Sequence, residues 1–210
     1  MARFTGSKEK MSRKVGRNLF PKGGRSFSAK AASNRRPYKP GAHGKAGGPP
    51  AKMSEFGKQL LEKQLIKSVY GLLEKQFYRV FQKALKKKGD TAQNLLTLLE
   101  SRLDNVILKA GFADSRAQAR QLVNHGHFLL NDQPVNVPSL LVKPGDKVTL
   151  KPSKKKSKFW AEFSLSVPLE KPTWLDIDAD KKSVTVVTLP LTEDLPTTFR
   201  PDLVVEFYSR

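Results

Sequence analysis

Arg116, Arg120 and Asn124 stand four residues apart. On a helix that spacing stacks them on one face, each a turn from the next. On the apolar-periodic run before them, Arg102, Asn105 and Lys109 recur at i, i+3 and i+7, a second polar stripe. Two such stripes on neighbouring helices can lie beside one polyanionic surface. The planar fork of an arginine binds phosphate through two parallel hydrogen bonds and stacks on bases, so RNA is the ligand this chemistry suits. The competing account is a solvated helix face whose arginines pair with Asp104 or Asp114. His125 and His127 flank Gly126, but no Cys or carboxylate cluster accompanies them. A structural or RNA-contacting histidine therefore fits better than a metal ligand. Ser115 has no nucleophile elbow around it and suits a helix cap. The glycines of residues 41–48 lack Walker spacing, and Asp176, Asp178 and Asp180 lack the glycine and final Glu of a calcium loop. No acid/base or nucleophile set emerges, so the expectation is a non-enzymatic protein without cofactor or metal.

Two helices must carry those stripes. Leu103, Val106, Ile107 and Ala110 supply the inward face of one, and Ala119, Leu122 and Val123 that of the other. Ser115 with Gln118 fits a capping box, Gln118 reaching back to the Ser115 backbone. Gly111 and Gly126 are stop signals. Beyond Gly126, residues 127–131 and 147–150 read as strands, with a turn at Asn131-Asp132 and strand-like residues from Val135 to Val142 broken by Pro138. Upstream, Ser54 caps a helical region over which Leu60, Leu61, Leu65, Val69, Leu72 and Leu73 recur at helical spacing, continued by Phe77, Val80, Phe81 and Leu85. Gly71 divides it or is tolerated within it. A third helix runs from Asp90 or Thr91 to about Gly111. After a basic linker at 151–158, strands are expected at 174–178, 183–188 and 203–208.

Charge sets the partner class. The 210 residues carry a formal net charge of +20, and the first sixty hold 15 Lys or Arg against Glu9 and Glu55 alone. So one-sided a segment repels itself and stays extended until a polyanion neutralises it. Each phosphate neutralised releases counterions, which makes nucleic acid the leading partner. Arg3, Arg13, Lys14, Arg17, Arg25, Arg35, Arg36 and Lys39 are interleaved with Phe4, Phe20, Phe27 and Tyr38, a mixture suited to contacting phosphates and stacking on bases. Breakers from Gly6 to Pro50 spoil the amphipathic helix that a membrane surface or an organellar transit segment needs. No apolar run approaches the roughly 18 residues of a membrane span, and the 38% apolar content leaves part of the chain without a core of its own. The chain has no Cys, hence no disulfide and no thiolate metal site.

Several blocks resemble one family. Arg102–Val106 (RLDNV), Gly111-Phe112 and Ser115–His127 (SRAQARQLVNHGH) are similar to an RNA-binding module also found in tyrosyl-tRNA synthetases, pseudouridine synthases and heat-shock RNA-binding proteins. Met1–Gly6, Tyr70–Phe77, Asn94–Glu100, Lys171–Leu175 and Val205–Ser209 resemble the bacterial-type small-subunit ribosomal protein S4 family itself. The resemblance implies an α+β fold: a basic N-terminal arm (1–52), a mainly helical domain (53–99) completed by C-terminal strands (176–210), and an inserted two-helix and small-sheet module with its linker (100–175). It implies a primary binder of small-subunit (16S-type) rRNA that nucleates assembly of the subunit body and contributes to translational accuracy. Its implied partners are messenger RNA and neighbouring ribosomal proteins, of the S5 and S3 types near the messenger entry and the S12 type in decoding. The implied location is cytoplasmic and ribosome-bound, with no membrane partner. On this basis Arg102, Asn105, Lys109, Arg116, Arg120, Asn124 and His125 join the basic residues of the arm as rRNA contacts. The chain departs from the family in lacking the arm's cysteine cluster, in carrying Asn131-Asp132 where Asn-Gly is usual, and in a poorly helical stretch at 157–169. An RNA-modifying enzyme would need a second, catalytic domain. A free-standing RNA chaperone is the other alternative.

Overall fold

The computed structural model describes residues 4–20, 28–44, 53–162 and 172–209. In chain order its helices are α1 (Lys8–Val15), α2 (Ala32–Arg35), α3 (Glu55–Val69), α4 (Glu74–Leu85), α5 (Thr91–Glu100), α6 (Leu103–Lys109), α7 (Arg116–Asn124), α8 (Pro152–Lys155), α9 (Lys158–Glu162) and α10 (Pro201–Tyr208). The strands are β1 (Phe128–Leu130), β2 (Gln133–Val135), β3 (Lys147–Leu150), β4 (Leu175–Asp178) and β5 (Ser183–Val186). They form two compact units: one takes in the described residues of 1–92 and 197–210, the other those of 93–196. The class is α+β.

In the first unit Ser54 caps α3, its Oγ accepting from Gly57 N at 3.2 Å, and Gly71 separates α3 from α4. Two expectations are corrected here. The described part of the arm is not wholly extended: α1 forms, burying Ser12 and followed by buried Leu19, and Arg13 Nε donates to the carbonyls of Arg36 (3.0 Å) and Tyr38 (3.2 Å). Those carbonyls hold the described part of the arm together locally by hydrogen bonding, without neutralising its charge. The end of the chain is helical, not a strand. Pro201 takes the first helical position, where its fixed φ suits a helix. Leu203, Val204, Phe207 and Tyr208 then recur at helical spacing, and the helix seats on α3. The β-branched pair Val204-Val205 suggested a strand, but tertiary packing overrides that preference.

The second unit is built on an antiparallel sheet of order β2-β1-β3-β5-β4. The β1–β2 hairpin turns through Asn131 (φ 48°) and Asp132 (φ 63°), both left-handed, as a two-residue hairpin of this hand requires. The Asn131 side chain stiffens the turn, its Oδ1 accepting from Lys147 N (2.9 Å) and its Nδ2 donating to Asp146 Oδ1 (2.8 Å). β4 and β5 extend this sheet, with Val148 opposite Val184 and Ile177 opposite Val184 on the other side. They were expected to complete the helical domain. They join the module because Val184 and Val186 bury themselves in its core with Trp160 and Trp174. The helix expected from Asp90 or Thr91 to Gly111 is also two helices, broken at Ser101-Arg102. There the backbone pairs with the segment after Pro138: Leu103 N donates to Leu140 O and Val142 N to Ser101 O, both at 2.9 Å.

Candidate nucleic-acid interface

α6 and α7 pack against each other, and both end in the same device. After α6, Gly111 N donates to Leu108 O and Phe112 N to Ile107 O. After α7, Gly126 N donates to Val123 O and His127 N to Leu122 O. Each pair is a Schellman closure whose left-handed residue is glycine, with φ 80° at Gly111 and 64° at Gly126. Ser115 caps α7 by accepting from Gln118 N (3.3 Å), while the Gln118 side chain accepts from Asp114 N (2.9 Å) and not, as expected, from the Ser115 backbone.

The polar residues of the pair are tied together. Arg102 forks onto Asp104, Nε to Oδ1 at 3.0 Å and Nη2 to Oδ2 at 2.7 Å. Arg120 Nη1 approaches the same Asp104 Oδ2 at 4.0 Å. Asn105 Nδ2 donates to the Glu100 carbonyl (3.1 Å) and to its carboxylate, while Asn105 Oδ1 accepts from Arg116 Nε at 3.0 Å. Arg116 Nη2 lies 3.8 Å from Glu100 Oε1. Glu100, Arg102, Asp104, Asn105 and Arg120 are all buried, whereas the Arg116 side chain is 25% exposed.

The expected pair of open stripes is therefore corrected. Arg102 is extended and precedes α6, so it does not continue the helical face of Asn105 and Lys109. It lies buried on Asp104 with Arg120, Arg102 by hydrogen bonds and Arg120 as an ion pair at 4.0 Å, while Asn105 lies buried between Glu100 and Arg116. This polar network sits inside the pair because buried guanidinium groups require carboxylate partners. Arg116 and Lys109 are half-exposed and Asn124 and His125 exposed, around that network. In the arm, Lys14, Arg17, Arg35, Arg36 and Lys39 are exposed, while Arg13 is partly buried with its guanidinium 5.0 Å from the Tyr38 ring centroid. Arg3 and Arg25 lie outside the described residues, as does most of the 157–169 stretch. Glu100, the carboxylate that orients Arg116, was missed. Its only signal is an acid closing a leucine-rich run, Leu95 to Leu99.

His127 is half-buried. Its Nδ1 accepts from Trp160 Nε1 at 2.8 Å, and Trp160 packs edge-on against Phe112 and Phe128. Burial first, then the charge of Lys154 and the neighbouring His125, push the His127 pKa below its ordinary 6.5.

Comparison with known proteins settles the family. A family model described as the ribosomal protein S4/S9 N-terminal domain matches residues 3–100, and the S4 domain model matches 101–148. The small ribosomal subunit protein uS4 of Syntrophomonas wolfei is 46% identical over 211 aligned residues, covering all of both chains. Its counterparts in Acetivibrio thermocellus (46%) and Thermotoga petrophila (45%) match over the same full extent. The chain belongs to the uS4 family. That is a family of structural, non-enzymatic ribosomal proteins. In this cysteine-free uS4 chain the S4-domain match takes in α6, α7, β1, β2 and the start of β3, the region that holds the arginine network. The uS4 N-terminal match takes in the basic arm and α3 to α5.

Proposed function

We propose that this chain is a structural constituent of the small ribosomal subunit, held there by small-subunit rRNA of the 16S type. Full-length similarity to proteins named for that particle carries the reading. The chemistry of the chain agrees with it: a net charge of +20, concentrated in the arm, supplies non-specific attraction to phosphate. The module supplies shape. Arg116, Lys109, Asn124 and His125 are the rRNA contacts of the helix pair; Arg102, Asn105 and Arg120 hold the pair in register and aim Arg116. The basic side chains of the arm, including Arg3 and Arg25, supply the remaining phosphate contacts. From there the chain nucleates assembly of the subunit body and contributes to translational accuracy, beside proteins of the S5, S3 and S12 types and the messenger, on cytoplasmic ribosomes.

Sedimentation tests the particle assignment. After a high-salt wash the chain should remain with small subunits at one copy per particle. Recovery in the soluble fraction would favour a free-standing RNA chaperone. Reconstitution of subunits on 16S-type rRNA without the chain should stall before later proteins of the body join, and normal assembly in its absence would refute the nucleating role.

A further inference from the structure

The closure of α7 does more than end a helix. The backbone bonds from Gly126 and His127 to Val123 and Leu122 deliver His127 to the head of β1. There its ring is held by Trp160, itself fully buried among Phe112 and Phe128. Because His127 Nδ1 accepts the indole N–H at 2.8 Å, that nitrogen carries no proton. The single proton of the neutral ring then sits on Nε2, the other edge of the imidazole. Among the described residues Nε2 meets no acceptor, and the ring is only half-buried.

Its surroundings are cationic. Lys151 N donates to His127 O at 2.8 Å, which starts the lysine-rich stretch of 151–158 directly at this histidine. Lys154, on the short helix that follows, lies near enough to act electrostatically on the ring, as does His125, whose ring centroid is 6.3 Å away. A fixed donor beside a lysine matches an oxygen that bears negative charge. A solvated lysine run needs no such fixed donor.

We propose that His127 is a fixed, uncharged hydrogen-bond donor through Nε2 to a phosphate oxygen of bound RNA, with Lys154 supplying positive charge at the same phosphate. Trp160 is its positioning residue. The proposal rests on the RNA-binding reading above. It adds an RNA-facing group absent from the helix-face set and joins the 151–158 stretch to that interface.

The test titrates the full chain with a small-subunit rRNA transcript over a series of KCl concentrations. His127→Phe, which keeps a ring but no donor, should weaken binding about five- to tenfold and leave the slope of log affinity against log salt unchanged. His127→Gln, with an amide N–H in reach of the same place, should recover most of that loss. Lys154→Ala should also weaken binding but flatten the slope by about 0.9, the signature of one cation fewer at the phosphates. On the unaltered chain, nitrogen NMR should show the Nε2–H tautomer, with that resonance moving when RNA is added. The proposal is overturned by unchanged affinity in a folded His127→Phe chain, by a slope change there equal to that of Lys154→Ala, or by an Nδ1–H tautomer. The NMR result decides even where the phenylalanine variant fails to fold. Absence of any binding by the unaltered chain would instead overturn the RNA-binding reading, and this proposal with it.

Discussion

Asp104 is where two buried arginines converge, Arg102 through a fork and Arg120 at 4.0 Å. Asp104→Ala removes the carboxylate that both buried guanidinium groups face, and should cost about 3–5 kcal/mol in a urea unfolding titration of the second unit. Arg116 is the more exposed partner of buried Asn105 and Glu100. Arg116→Ala should lower the unfolding midpoint, though by less than Asp104→Ala, and should also weaken rRNA binding by about 1–2 kcal/mol, more than Lys155→Ala does. Equal losses from the two would mean diffuse attraction without a shaped site. Spacing in the sequence was enough to put Arg116 and Arg120 on one helix. It was not enough to tell an open face from a buried one, because a four-residue interval fixes which side chains are neighbours but not what covers them.

At the scale of elements, α10 is held on α3 and α4 by a knot of charge. Tyr208 Oη donates to Glu74 at 2.7 Å, and Lys63 and Lys67 donate to the same carboxylate at 2.7 and 2.8 Å. Tyr208→Phe should destabilise the first unit by about 1 kcal/mol in thermal unfolding. Burial works to raise the Glu74 pKa, but the hydrogen bonds from Lys63, Lys67 and Tyr208 outweigh it and bring it down from 4.5 to about 2. A depressed carboxylate stabilises above its unfolded pKa and loses that contribution as pH falls through the folded one. With Glu74 about half exposed, screening leaves roughly 1 kcal/mol of the effect. The difference in midpoint between the unaltered chain and Glu74→Gln should therefore be complete at pH 6 and shrink steadily from about pH 4.5 towards pH 2. Helices with long apolar periods, α3, α4 and α7, were legible beforehand, as was the β1–β2 turn. The misread elements are those decided by distant partners: α10 by its seat on α3, the break at Ser101 by the segment after Pro138, and β4–β5 by the edge of β3.

For the molecule as a whole, electrostatics and chain order carry separate consequences. Removing residues 1–44, which hold much of the excess charge, should flatten the salt dependence of rRNA binding by about 0.9 for each phosphate left unneutralised, while leaving the effect of Arg116→Ala intact. An unchanged slope would move the electrostatic contribution out of the arm. The first unit is also discontinuous: it uses 1–92 and then 197–210, with the whole second unit between them. Synthesis runs from the N-terminus, so residues 93–196 are polymerised before α10 is made. The module can therefore fold and engage RNA while α3 still waits for Phe207 and Tyr208. Capture of RNA can then precede closure of the domain made first, and a released chain ending at residue 196 should already resist protease across the module while α3 and α4 are still cut.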